Sequence, residues 1–188
     1  MFSGIVQEVG IIKDLKTRNG LLELTISYEK LSNIELGDSI SVDGCCQTVT
    51  EIKQKTFIVQ ATEETLDKTI FKTYKVGEKI NLEPSLKMGD KISGHLVSGH
   101  IDGTGEVYDL IEEKDNTIVK IKYPKELSKF IEKKGSASVN GVSLTVIDSN
   151  IDGNCIFSFT LIPFTKSNTN LGLIKKGNLV NLEIDLIS

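Results

Sequence analysis

The chain of 188 residues is long enough for one ordinary domain or for two of the smallest self-supporting size. Its 22 Lys and Arg stand against 26 Asp and Glu, and the positive residues are scattered with no basic stripe, which argues against a nucleic-acid surface. No stretch approaches the roughly 18 to 20 apolar residues of a bilayer span, and the start MFSGIVQEVG has no charged n-region followed by an apolar h-region. A soluble, cytoplasmic protein with no membrane partner is expected.

In chain order, LLELTISY (21–28), SISVDGCCQTVTEI (39–52), KTFIVQAT (55–62), KINLEPSL (79–86), IVKIKY (118–123), ASVNGVSLTVID (137–148), CIFSFTLI (155–162) and LVNLEIDLI (179–187) are short and rich in Val, Ile, Thr and Phe. Gly, Asn and Asp divide them, which predicts strands joined by turns. Two or three helical turns are predicted within each of KLSNIEL (30–36), ETLDKTIF (64–71), KELSKFIEKK (125–134) and SNTNLGLI (167–174). Many short strands with little helix predict an all-β chain, and closure into a barrel would remove the edges of so small a sheet.

Sliding the chain on itself reveals a repeat. Ser3-Gly4-Ile5-Val6 and Gly10 match Ser98-Gly99-His100-Ile101 and Gly105 at a shift of 95; SVDGCCQTV from Ser41 matches SVNGVSLTV from Ser138 at a shift of 97. Thr65, Thr69, Lys75, Gly77, Asn81, Leu82 and Glu83 match Thr165, Thr169, Lys175, Gly177, Asn181, Leu182 and Glu183 at a shift of 100. The slow drift is what loop insertions produce in a duplicated domain. Two tandem barrels are expected, over residues 1–92 and 97–188, with a short junction around 85–96.

The repeat also points to chemistry. Asp43-Gly44 and Asn140-Gly141 predict tight hairpins, so Cys46 and Ser143 fall at equivalent places just past each turn, at a barrel mouth. Two readings are open: a small core cysteine and a backbone-bonded serine, or a pair of matched polar groups, each followed on the same face by Thr48 or Thr145. Cys45 and Cys46 point to opposite faces of a strand, which disfavours a mutual disulfide. Three cysteines and two histidines with neither CxxC nor HExxH predict no metal site. His100 stands where the first copy has Ile5, so one copy has gained an imidazole suited to proton transfer; His95 precedes the repeat and reads as structural. Thr65 and Thr165 are expected to cap the helices that follow. Lys134 reads as a solvated surface charge, and Asp185 replaces Ser85 of the first copy.

At MFSGIVQ, SVDGCCQTVTEI, GHLVSGHIDG, SVNGVSLTV, LIPFT and VNLEID the chain resembles the riboflavin synthase family in its single-polypeptide, duplicated form. The resemblance covers essentially the whole sequence. It implies two tandem homologous six-stranded Greek-key β-barrels and a transferase, the last step of riboflavin biosynthesis: dismutation of two 6,7-dimethyl-8-ribityllumazine molecules, by transfer of a four-carbon unit, to riboflavin and 5-amino-6-(D-ribitylamino)uracil. It implies no cofactor, because the electron-poor pteridine ring is its own electron sink. Carried over by motif, the first barrel's pocket uses Gly4, Ile5, Val6, Cys46, Gln47 and Thr48, with Gln60, Ala61, Thr62, Glu63, Glu64 and Thr65. The second uses Gly99, His100, Ile101, Ser143, Leu144 and Thr145, with Ile162, Pro163, Phe164, Thr165, Lys166 and Ser167.

The resemblance further assigns proton transfer to His100, hydrogen bonding or activation of a nucleophile at C7 to Ser143, and the corresponding role in the other pocket to Cys46. Phe2, Ser39 and Asp185 match further positions tied to activity, and Lys134 matches a residue that reaches a neighbouring subunit's ligand. The family's site forms between the first barrel of one subunit and the second of another, in a homotrimer joined by a C-terminal helix. This sequence stops at Ser188, before such a helix, so trimer formation is placed in question. An alternative from the same resemblance is a non-catalytic lumazine- or flavin-binding antenna protein, which would be expected to lack the polar groups of the second pocket.

Overall fold

The computed structural model describes residues 1–185, apart from the Asp152 side chain. Twelve antiparallel strands fall into two sets of six. The first holds β1 (Glu8–Arg18), β2 (Leu21–Ser27), β3 (Ser39–Val42), β4 (Cys45–Lys53), β5 (Thr56–Ala61) and β6 (Lys79–Pro84); the second holds β7 (Gly103–Glu113), β8 (Asn116–Lys122), β9 (Ser136–Val139), β10 (Val142–Thr145), β11 (Ile156–Leu161) and β12 (Leu179–Ile184). Each set carries one six-residue helix before its last strand, α1 (Glu63–Lys68) and α2 (Pro163–Asn168). Among the described residues no helix is long and apolar enough to cross a membrane.

The first set closes in the order β1-β2-β5-β4-β3-β6. The second follows the same neighbour order, but β10 ends at Thr145 where β4 runs on to Lys53. Among the described residues an isolated bridge between Asp148 and Ser158 spans its seam. Inside, alternation buries Ile12, Leu24, Ile26, Val42, Phe57, Val59, Ile80 and Leu82 in one barrel. Val107, Val119, Ile121, Val139, Phe157, Phe159, Val180 and Leu182 are buried in the other. Each such side chain contributes about 1.5–3 kcal/mol on full burial.

Two strands lie outside the segments expected from sequence, and two expectations need correction. Strands β1 and β7 carry no clean alternating pattern, because each has a bulge, between Ile12 and Asp14 and between Val107 and Asp109, that shifts the period by one residue. The segment 30–36 is not helical: Asn33 has φ 58°, outside the right-handed helical region, and the Glu8 carboxylate holds the N–H groups of Glu29, Lys30 and Leu31 at its start. Nor do Thr65 and Thr165 cap their helices. Thr62 is the N-cap of α1, accepting from Thr65 N at 3.3 Å, while α2 opens on Pro163 behind Ile162 with no side-chain cap.

The barrels meet about an approximate two-fold axis through their hairpin turns. Across it Asn81 Nδ2 donates to Asn140 O and Asn181 Nδ2 to Asp43 O, both at 2.9 Å. Ile70 N donates to Asn181 Oδ1 at 2.8 Å and Asn170 N to Asn81 Oδ1 at 2.7 Å, completing the reciprocity. One carboxyl breaks the symmetry. Asp43 lies buried at this seam where the second barrel has Asn140, and accepts from Tyr74 OH, Asn81 N and Asn170 Nδ2 at 2.7, 2.7 and 2.9 Å. Burial pushes its pKa from 3.8 to about 7, against those donors.

A raised carboxyl pKa means the folded state binds a proton that the unfolded chain has released, so this stability is complete below the unfolded pKa and is lost as pH rises through the folded one. Raising pH from about 4 to 8 should therefore weaken the fold through Asp43 by up to about 4 kcal/mol. Asp43→Asn should flatten that part of the profile in denaturant titrations across the same range, and an unchanged slope would show that Asp43 does not set it.

Candidate functional site

Each mouth begins at a two-residue turn. Asp43 and Gly44 have φ 44° and 85°, Asn140 and Gly141 46° and 76°, the left-handed pair that a tight hairpin needs and that Asp-Gly and Asn-Gly tolerate. The turns set the register, placing Ser41 opposite Cys46 and Ser138 opposite Ser143. Alternation then buries Cys45, Gln47 and Val49 in one strand and Val142 and Leu144 in the other, leaving Cys46 and Ser143 half-buried and Thr48 and Thr145 exposed on the outer face. Cys46 and Ser143 thus occupy equivalent positions. Burial pushes the Cys45 thiol up to about 12, which makes it an inert wall residue, and all three cysteines are free.

The segments leading into each barrel cross to the other one. The Glu83 carboxylate of β6 accepts from Ser3 N, Ser3 Oγ and Gly4 N at 2.8, 2.8 and 3.1 Å, and Glu183 of β12 holds Ser98 and Gly99 through the same three groups. Burial pushes both carboxyls up, and these donors oppose it. From that anchor the Gly4 carbonyl accepts from Ser143 N of the second barrel, and the Gly99 carbonyl from Cys46 N of the first, each at 2.8 Å. Val6 packs against the second core and Ile101 is buried in the first. The contacts therefore cross between the barrels: Gly4 and Val6 meet the second barrel, Gly4 at Ser143, and Gly99 and Ile101 the first, Gly99 at Cys46, where the resemblance grouped Gly4 and Val6 with Cys46 and Gly99 and Ile101 with Ser143.

The two mouths differ at their tips. A Cβ on Gly99 would stand 2.6 Å from Cys46 Cβ and 2.8 Å from the buried Phe2 ring, so Cys46 has a glycine and an aromatic edge nearby. Over Ser143 lies His95, with Nδ1 2.6 Å from Oγ. Burial lowers the His95 pKa and the Asp185 charge raises it. Sequence comparison missed His95 because it lies ahead of the repeat. The available signal was that both histidines of the chain fall within GHLVSGH.

His100 is exposed and lines a cavity of about 320 Å³ with Met1, Leu96, Ser98, Asp102, Glu183, Ile184 and Asp185. Ser39 pairs with Thr48 in the β3–β4 ladder and lines a polar cleft of about 680 Å³ that includes Ser3, Gln7 and Glu83. Beside the first mouth, Ala61 is buried; Thr62, Glu63 and Glu64 are exposed; and Gln60 Nε2 donates to Glu23. Beside the second, Ile162, Pro163, Phe164 and Ser167 are exposed, Phe164 at 74%, and Thr165 is half-buried. Lys166 is tied to Glu112 and to Thr117 Oγ1. Lys134 is exposed at φ 71°, where the first barrel has Gly37 at φ 88°. The backbone of each donates across to its barrel, Lys134 N to Val146 O and Gly37 N to Val49 O.

Duplicated barrels with equivalent polar mouths define a paired ligand-binding architecture. The lumazine binding domain family matches this chain twice, over residues 3–85 and 98–185, and the chain belongs to that family. Riboflavin synthase of Actinobacillus pleuropneumoniae is 38% identical over 188 residues, and that of Bacillus subtilis (strain 168) 39% over 189; each match covers all of this chain and 86% of the relative. The crystal structure of LumP complexed with riboflavin is similar at TM-score 0.90 and 32% identity, over 98% of this chain and all of that one. LumP complexed with 6,7-dimethyl-8-(1'-D-ribityl) lumazine gives TM-score 0.87 and 31% identity, over 98% and 99%.

The crossing segments make a stability prediction. Gly99→Ala places a Cβ against Cys46 at φ 85° and should cost about 2 kcal/mol or more, a drop of several degrees in melting temperature. Gly89→Ala, at φ 93° with nothing within 4 Å, should cost only the backbone strain of about 1–2 kcal/mol. Equal losses in calorimetry would mean that Gly99 is not in close contact with Cys46.

Proposed function

We propose that the chain is a riboflavin synthase, converting two 6,7-dimethyl-8-ribityllumazine molecules into riboflavin and 5-amino-6-(D-ribitylamino)uracil. The observation that supports this reading is a symmetric frame with unequal tips: Cys46 and Ser143 at matched places, one beside Phe2 and the other beside an imidazole. A reaction between two copies of one molecule in different roles calls for that combination. The products together contain all the atoms of the two substrates, so no external oxidant or reductant is required. The protein's task is to stack the rings, move protons and stabilise an adduct at C7.

In this reading Ser143 hydrogen-bonds or activates the nucleophile at C7 of one lumazine, Cys46 takes the corresponding place at the other mouth, and His100 moves a proton beside Asp185. Thr48 and Thr145 face solvent, so each mouth needs a second surface to exclude water. The first barrel of one subunit closing on the second barrel of another, in a homotrimer, would supply it, with exposed Lys134 reaching across. The competing reading is a lumazine- or flavin-binding protein without turnover. Similarity to LumP supports it, but it leaves Ser143, His100 and Cys46 without a use.

Incubated with the lumazine alone, the protein should form riboflavin, detected by its absorbance and fluorescence. Tight stoichiometric binding without product would establish the antenna reading instead. His100→Ala should lower turnover by about 10² to 10⁴ with lumazine affinity changed little. A near-normal rate would remove His100 from the mechanism.

A further inference from the structure

The second mouth has a feature that the first does not. In the segments entering the two barrels, Phe2 pairs with Val97, the matched residue of the second copy, Phe2 N donating to Val97 O at 2.7 Å and Val97 N to Phe2 O at 3.0 Å. Two residues before Val97 stands His95. His95 lies in the junction between the two matched copies.

The junction is held closely against both barrels. His95 N donates to Ser3 O at 3.2 Å, and Ser3 is itself held by Glu83. A Cβ on Gly94 would meet Ser3 O and stand 2.9 Å from Ser143 Oγ, so only glycine lets the chain pass this close. The imidazole is half-buried, and Nδ1 reaches Ser143 Oγ at 2.6 Å, within the range of a strong hydrogen bond. Asp185, at the end of β12, is the charged group whose field acts on the ring.

We propose that His95 is the general base for Ser143, a dyad assembled from the interdomain junction and the second barrel. This deepens the synthase reading and rests on it for the substrate. In the step it serves, Ser143 Oγ bonds to C7 of the bound lumazine, the displaced π pair moves onto the conjugated ring nitrogen, and the hydroxyl proton passes to His95 Nδ1. When the adduct collapses, the O–C7 bond breaks, its pair returns to oxygen and the proton goes back.

A base must be neutral to act. Burial lowers the His95 pKa and Asp185 raises it, so activity should fall on the acid side of the ordinary histidine range as His95 takes up a proton. His95→Ala and His95→Gln should lower riboflavin formation by about 10² to 10⁴ while lumazine affinity stays within about threefold. Their residual rate should lose the acid limb. Asp185→Asn should shift that limb to lower pH. The double variant His95→Ala/Ser143→Ala should be no slower than Ser143→Ala alone, since residues that act as a unit are not additive.

A probe independent of turnover keeps the dyad separable from the synthase assignment. With phenylmethylsulfonyl fluoride, Ser143 Oγ attacks sulfur, the S–F bond breaks, fluoride leaves and the proton passes to His95. Mass spectrometry should find Ser143 labelled in the wild type and labelled at least about tenfold more slowly in His95→Ala. Turnover of His95→Ala within threefold of wild type, multiplying losses in the double variant, or labelling indifferent to His95 would each overturn the proposal. Labelling that depends on His95 in a wild type that forms no riboflavin would instead support the dyad and remove the synthase reading.

Discussion

Two buried glutamates govern the shape of both mouths. Glu83 and Glu183 each take three donors from a Ser-Gly pair, and a carboxylate left without them in so dry a place would cost several kcal/mol. The segment so anchored is the one whose glycine carbonyl then accepts from the opposite barrel. Clamping each entry segment to its own barrel thereby docks it on the other. The asparagines of the same two strands, Asn81 and Asn181, add the reciprocal bonds across the seam. One short stretch, Asn-Leu-Glu, serves barrel closure, docking and site assembly, with Leu82 and Leu182 filling the cores between the two polar residues.

On this nearly symmetric frame four of the differences fall at the seam and beside the mouths. Asp43 corresponds to Asn140, Cys46 to Ser143, Ile5 to His100 and Ser85 to Asp185. Symmetry gives two matched mouths. Substitution at the tips puts a free thiol at one and a hydroxyl beside an imidazole at the other, the inequality on which the synthase reading rests. The junction adds a further inequality, because its His95 meets Ser143 while the buried Phe2 ring lies near Cys46.

Much of this was legible in residue order. Asp-Gly and Asn-Gly announced the hairpins because few other pairs accept two successive positive φ angles. The matched strings around Cys46 and Ser143 announced their equivalence. Where local pattern failed, a distant group had intervened. The bulges in β1 and β7 shift the alternation by one residue, and Asn33 turns left-handed at φ 58° in the middle of the segment 30–36 while Glu8 holds the N–H groups of Glu29, Lys30 and Leu31.

Residue order sufficed for the duplication, the all-β class, the turns and the paired polar positions, since each depends on spacing along one short segment. It could not say which segment serves which mouth. Gly4 lies in the first copy yet caps Ser143, Gly99 lies in the second yet caps Cys46, and His95 belongs to neither copy yet reaches Ser143 Oγ. Those pairings come from two barrels pressed together about an axis, and a contact made by docking leaves no periodicity in the chain.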